Sequence, residues 1–262
     1  MQPRALILLA NGTNRDRDVA QALALAGANP VIMPLQGLRQ SKRSWNDYQI
    51  LILAGGFSYA DALGAGKLLA LDLMYYFADQ TAEFVAAGKP VLGICNGFQA
   101  LVKAGILPAN EANPDHSEIT LTFNQSGHFE CRWVTLKPLS QICLWTRRLT
   151  DLIACPVAHG EGNFVSSNPA VLQQLISHDQ IALVYVKQDG SMADGEYPFN
   201  PNGSMMDIAG ICNPQGNVLG LMPHPEDNVL PYQYAQWMRR SGHSGLPLFQ
   251  NAVRFVQGRE SA

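Results

Sequence analysis

Short apolar runs bounded by turn residues recur along the N-terminal part of the chain, at positions 5–9, 31–33, 50–53 and 91–94. Runs of this length and density are what parallel strands buried on both faces require. Segments with helical spacing lie between them: 18–26 before Gly27, 63–77, and 81–87 before Gly88. A glycine just past the last periodic residue is a common helix stop. Alternation of this kind predicts an α/β fold, a doubly wound and mostly parallel sheet with helices on both faces. From Ile119 onward the pattern shifts. Segments 119–123 and 131–136 read as adjacent antiparallel strands joined by 123–128, and a helix follows at about 169–177. Strands at 181–186, 206–212 and 218–222 and a closing helix at 248–256 complete the reading, with 189–204, rich in Gly, Pro and Asn, as the longest loop. No repeat or low-complexity linker divides the chain, so 1–262 is expected to form a single domain with antiparallel additions.

Composition narrows the functional classes. Of the 262 residues 47% are apolar and 15% charged, enough to build a core and too apolar for long disordered tracts. A formal net charge of -3, with the basic pairs Arg147-Arg148 and Arg239-Arg240 isolated, gives no footprint for nucleic acid or an anionic membrane. No segment approaches the roughly 20 apolar residues of a membrane helix, and the run 5–10 is short for a signal-peptide core, so a cytoplasmic location is expected. Five cysteines at 95, 131, 143, 155 and 212, without a C-x-x-C pair, point to free thiols. His116, His128, His178 and His243 lack ligand spacing, so no metal is expected. Gly64-Ala65-Gly66-Lys67 is not a phosphate loop, because Leu68 follows the lysine and Asp61 replaces the first glycine. Gly160-Glu161-Gly162 fails the dinucleotide pattern, and the Asn11-Gly12-Thr13, Asn124-Gln125-Ser126 and Asn202-Gly203-Ser204 sequons carry little meaning in such a chain.

The sharpest chemical signal is Gly93-Ile94-Cys95-Asn96-Gly97, which follows a strand and opens a helix at 98–103. That is the pattern of a nucleophile elbow with sulfur in place of oxygen: small neighbours allow the tight turn that projects the side chain from the sheet edge. The helix N-terminus favours a thiolate at Cys95, and the Asn96 N–H can face a developing oxyanion. Read alone, Cys95 is equally compatible with a small core residue. Pro223-His224-Pro225-Glu226 supplies a base and its orienter directly after a strand. The prolines favour extended backbone, in which His224 and Glu226 share one side; a strand-end turn with a solvated acid is the plainer alternative. Gly55-Gly56 follows another strand and offers a second backbone donor, although most such pairs are only turns. Gln99, one helical turn beyond Cys95, places its amide near the same point.

Taken together, Gly55-Gly56-Phe57-Ser58-Tyr59, Gly93-Ile94-Cys95-Asn96-Gly97-Phe98-Gln99, Ala158-His159-Gly160-Glu161-Gly162, Asn200-Pro201-Asn202-Gly203-Ser204 and Leu221-Met222-Pro223-His224-Pro225-Glu226 resemble the class I glutamine amidotransferases. Within them they resemble the glutaminase subunits of phosphoribosylformylglycinamidine synthases. The resemblance implies that Cys95 is the nucleophile, His224 the general acid and base, and Glu226 its orienter, with Gly56, Asn96 and Gln99 contacting L-glutamine. It further implies that ammonia passes to a synthetase large subunit, that a small subunit bridges the two, and that ATP and magnesium belong to the synthetase and no cofactor to this chain. The Gly55-Gly56 turn is expected to be movable and completed by docking, with His159 and Glu161 either sensing that docking or merely capping a turn. Asp227 departs from the Arg usual in the family, and Ala60 from the common Gly. A related amidotransferase or Cys hydrolase of another pathway, and a non-catalytic subunit, are the competing functions; the complete triad speaks against the second.

Overall fold

The computed structural model describes residues 2–40, 45–109, 118–234 and 243–258. His116 and the Arg239-Arg240 pair lie outside the described residues. In chain order the elements are β1 (Arg4–Leu9), α1 (Asp16–Ala26), β2 (Asn29–Pro34), α2 (Leu35–Gln40), β3 (Ile50–Leu53), α3 (Lys67–Leu71), α4 (Ala78–Ala86), β4 (Val91–Ile94) and α5 (Asn96–Lys103). They continue with β5 (Ile119–Thr122), β6 (Glu130–Pro138), β7 (Ile153–His159), β8 (Asn163–Ser166), α6 (Pro169–Ser177), β9 (Ile181–Val186), β10 (Ile208–Cys212), β11 (Val218–Leu221) and α7 (Leu246–Val256).

Among the described residues, nine strands form one sheet in the order β2-β1-β3-β4-β11-β10-β9-β6-β7, parallel from β2 to β11 and antiparallel beyond. The α/β expectation is met, and its cause is visible in the strands. β3, β4 and β11 are buried at every position, as continuous apolar runs covered on both faces must be. On one face α1 turns Val19, Ala22 and Leu23 inward and ends at Gly27 (φ 98), and α7 packs against it through Leu248, Phe249, Ala252 and Val253. α5 crosses the sheet on β4 and β11 with Phe98 and Leu101 fully buried.

Two parts of the antiparallel region differ from the pattern-based reading. The strand at 119–123 does not pair with that at 131–136. β5 instead pairs with β8 in a separate two-stranded sheet, while β6 pairs with β7 and β9. The unforeseen strand β7 carries Pro156, a residue tolerated there because β7 is the edge of its sheet. The helix expected over 63–77 begins only at Lys67, since Gly64 (φ 102) and Gly66 (φ 71) hold the preceding turn in left-handed backbone, and it ends in a π turn at Asp72–Tyr76. The expected strand at 206–212 starts at Ile208 because Met206 (φ 53) belongs to a turn.

The elbow expectation rests on close packing that can be measured. A methyl group at Gly97 would stand 2.0 Å from the Leu53 carbonyl oxygen, and one at Gly93 would stand 2.8 Å from the Gly97 carbonyl. Backbone cannot yield as a side-chain tip can. Gly97→Ala should therefore destabilise the protein by about 1–3 kcal/mol, as overpacking does. Gly37→Ala in α2 has no atom within 4 Å of the new methyl and should instead gain roughly 0.5–1 kcal/mol from helix propensity. Denaturant midpoints of the two variants check the contrast, and equal shifts would contradict it.

Candidate active site

Register brings the pieces together. Ile94 pairs with Leu221, so β4 and the parallel β11 end side by side, and the Cys95 N–H donates to the Leu221 carbonyl at 2.8 Å. Cys95 and the Pro223-His224 segment thus leave neighbouring strand ends at the carboxyl edge of the sheet, where open α/β sheets place their sites. Cys95 is buried, with φ 50 and ψ -105. A non-glycine residue in such backbone costs about 1–3 kcal/mol, sustained here by the packing of α5. The cost projects Sγ toward the Ala158 carbonyl, 3.8 Å away, rather than into the core.

His224 Nδ1 and Glu226 Oε1 are 2.8 Å apart, both side chains buried. Their backbone is not extended throughout, as the flanking prolines suggested. Pro225 opens a short 3-10 turn, Pro225–Asn228, and the turn brings the carboxylate back under the ring. The His224 N–H donates to the Pro156 carbonyl at 2.8 Å, so the middle of β7 packs against the segment that carries His224. Burial alone would lower the imidazole pKa, but the charges of Glu226 and Cys95 outweigh it and hold His224 well above its ordinary value. Gly55 is the spacer between them: a methyl group there would lie 2.6 Å from His224 Cε1 and 3.4 Å from Cys95 Cβ.

Of the remaining expected residues, Gly56 and Gln99 line a cavity of about 180 Å³ together with Asp61, Cys95, His159 and Glu161, among others; Asn96 is buried beside it. Asn96 opens α5, leaving its N–H at the helix start. Its side chain accepts from the Ser58 N–H at 3.2 Å and from the Ser58 hydroxyl, and donates to Asp61 Oδ1 at 2.7 Å. Gln99 donates to the Glu161 carbonyl at 2.6 Å and so fastens the 159–162 segment. Desolvation raises the Asp61 carboxyl pKa, against the hydrogen bond from Asn96. His159 and Glu161 are both in the wall. Ser58, Asp61, Asn124 and the mouth residues Phe57, Phe123 and Phe129, all three exposed, join the site without a local sequence signal. Asn124 and Phe123 were visible only as a connection, and the fold alone carries them to Cys95. A larger hollow of about 570 Å³, lined by Leu73, Thr81, Ile106 and Asn213 among others, has no titratable side chain among its described lining residues, and neither Cys95 nor His224 is one of them.

The two departures acquire local roles. Asp227 faces Arg15 at 3.6 Å, an arrangement opposite in sign to the family's usual arginine. Burial and the neighbouring Glu226 push the Asp227 carboxyl up to about 6. Ala60 (φ 56) lies between Tyr59 (φ 54) and Asp61 (φ 52) in left-handed backbone, the conformation that a glycine would adopt without penalty.

His159 and His224 have opposite protonation. Asn124 donates to the His128 and His159 carbonyls at 2.9 and 2.8 Å, so its Oδ1 is the acceptor facing His159 Nδ1 at 3.1 Å. The proton of neutral His159 therefore sits on Nδ1. Burial first, then the charge of His224, lowers His159 to about 3. Histidine side-chain nitrogen spectra between about pH 5 and 9 should show His159 as a neutral Nδ1–H tautomer throughout and His224 still protonated above its unfolded value of about 6.5. The raised His224 contributes stability that is complete below about 6.5 and is lost as pH rises through the folded value. Glu226→Gln should move the His224 titration down. A His159 that titrates near 6.5 would contradict the assignment.

Comparison with known proteins places the chain in a family. A family model described as a CobB/CobQ-like glutamine amidotransferase domain matches residues 2–256. A phosphoribosylformylglycinamidine synthase subunit PurQ of Treponema denticola is 57% identical over 242 residues, covering 88% of this chain and 90% of the relative. The PurQ subunit of Dehalococcoides mccartyi is 40% identical over 260 residues, covering 97% and 98%. Among solved structures, a chain of PurLQS from Thermotoga maritima aligns with a TM-score of 0.74 at 32% identity, covering 98% of this chain and 100% of that one. The chain belongs to the CobB/CobQ-like glutamine amidotransferase family, in the branch of the PurQ subunits of phosphoribosylformylglycinamidine synthase.

Proposed function

We infer that this chain is the glutaminase subunit of phosphoribosylformylglycinamidine synthase and that Cys95, His224 and Glu226 are its catalytic triad. The observation that carries the reading is a buried thiol on a strained elbow, beside a raised imidazole that is held by a buried carboxylate. The Cys95 thiolate attacks the side-chain carbonyl carbon of glutamine, forming a C–S bond. The Asn96 and Gly56 N–H groups stabilise the oxyanion, each worth roughly 2.7–4 kcal/mol. His224 protonates the departing nitrogen, the C–N bond breaks and ammonia leaves. Water then adds to the thioester, giving its proton to His224, and glutamate departs as the thiolate re-forms.

The relatives' names support a synthetase partner as the destination of the ammonia. PurLQS is named for three components, and we assign this chain the Q position, beside a synthetase large subunit and a small bridging subunit. ATP and magnesium belong to the synthetase, which makes formylglycinamidine ribonucleotide from formylglycinamide ribonucleotide in purine biosynthesis. We read residues 1–262 as one amidotransferase domain, supported by the family match over 2–256 and by a sheet that draws strands from both halves of the chain. No described helix is long and apolar enough to cross a membrane, and with five free thiols we place the protein in the cytoplasm.

Cys95→Ala should abolish glutamine-dependent synthesis in the reconstituted complex and leave ammonia-dependent synthesis intact; loss of both would point to a structural cysteine. A glutamine-like electrophile should label Cys95 in preference to Cys131, the one exposed cysteine. That comparison is stringent, because accessibility alone favours Cys131. Docking is expected to raise kcat more than it lowers KM. Glutamine hydrolysis by the free subunit and by the complex with nucleotide measures this, and a free subunit at the full complex rate would refute it.

A further inference from the structure

The Gly55-Gly56 turn, expected to be movable and completed by docking, is hydrogen-bonded in this chain to the loop at 11–15. Asn14 N–H and Arg15 N–H donate to the Gly55 carbonyl at 3.4 and 3.3 Å, Phe57 N–H to the Gly12 carbonyl at 3.0 Å, and Tyr59 N–H to the Asn11 carbonyl at 2.6 Å. These bonds make Thr13 and Gly56 an antiparallel bridge of the kind in which the neighbours, not the pair itself, exchange hydrogen bonds. In such a pair each residue turns its own N–H and C=O away from its partner. The Gly56 N–H therefore faces away from the loop. The sheet order fixes what lies on that side: the loop continues β1, the turn continues β3, and Cys95 follows β4, the next strand over. Gly56 and Cys95 line the same cavity.

We propose that the 11–15 loop is a strap that aims the Gly56 N–H at the oxyanion position, and that Gly12 and Thr13 are positioning residues for glutamine hydrolysis. The inference rests on the glutaminase reading above and adds the element that orients its second oxyanion donor. Gly12 (φ 92) is demanded by contact as well as conformation, since a methyl group there would stand 2.0 Å from the Phe57 carbonyl oxygen. Thr13 closes the strap at its root: its N–H donates to the Ala10 carbonyl at 3.1 Å, and its Oγ1 accepts from the Ala10 N–H at 3.3 Å. At the other end Arg15 meets Asp18 at 3.1 Å and Asp227 at 3.6 Å. The Arg15 side chain is 40% exposed, so water screens those pairs and the backbone bonds carry most of the alignment.

The test separates oxyanion alignment from nucleophile integrity. In the complex with the synthetase, its nucleotide and ATP, Gly12→Ala should lower kcat for glutamine by roughly 30–100-fold with KM within about twofold, the signature of an interaction made in the transition state. Iodoacetamide alkylates a thiolate by displacement at a saturated carbon and needs no oxyanion donor, so its rate with Cys95 should stay within about threefold. Thr13→Val keeps the shape of the residue, removes one bond from the strap and should lower kcat by about 3–10-fold in the same pattern. Alkylation that falls in parallel with turnover in Thr13→Val, or turnover unchanged in both variants, would overturn the strap. Glutamine turnover that survives in Cys95→Ala would refute the glutaminase reading instead.

Discussion

The approach of α5 to the ends of β3 and β4 is the constraint on which the active site depends. With no room for a methyl group at Gly97 or Gly93, the helix start sits directly over the strand ends, and the chain can join β4 to α5 only through the left-handed backbone of Cys95. The same closeness does two kinds of work. It sustains the strain at Cys95, and it brings the N-terminal N–H groups of α5 to the side chain that the strain projects. The neighbouring strands then supply the rest in parallel register, Gly55 and Gly56 from β3 and His224 from β11.

Electrostatics divides two buried histidines between opposite states within one site. His224 has Glu226 against its ring, and that charge overrides desolvation; His159 has only the neutral amide of Asn124, so burial and the nearby His224 charge keep it neutral. One ring can therefore exchange protons while the other serves as a fixed dipole. Asn124 also accepts from the Gly162 N–H at 3.0 Å, so a single buried amide aligns both His159 and the loop that follows it. Unmet hydrogen-bonding capacity is costly in such surroundings, and it makes these side chains specify one loop arrangement rather than several.

A second polar cluster orders the opposite wall. Asn96 holds Ser58 and Asp61, and Gln99 holds the Glu161 carbonyl, so the helix that follows Cys95 also fixes the two loops that flank it. The side chains of Asn96 and Gln99 are thereby occupied in the structure by the protein itself. Their contribution to the cavity is to shape it, while backbone N–H groups remain for the chemistry.

The parallel half of the fold was legible in the sequence because strands buried on both faces need continuous apolar runs, and such runs are local. The elbow and the His224–Glu226 pair were legible for a related reason: an elbow needs small residues on either side of Cys95, and His224 and Glu226 lie two positions apart. The antiparallel half was misread where pairing is not local. Segments 119–123 and 131–136 are near in sequence, yet each finds its hydrogen-bond partners beyond Leu152. Asn124, Asp61 and the three phenylalanines at the mouth carry no local signal, because their roles come from what the sheet and loops bring beside them. The sequence by itself determined the strand–helix alternation and the placing of Cys95, His224 and Glu226 just past strand ends, since both follow from neighbours along the chain. Only the tertiary structure decided that Gly55 fits between Cys95 and His224 and that the 11–15 loop is hydrogen-bonded to the Gly55-Gly56 turn, because a contact between distant segments has no counterpart in either segment alone.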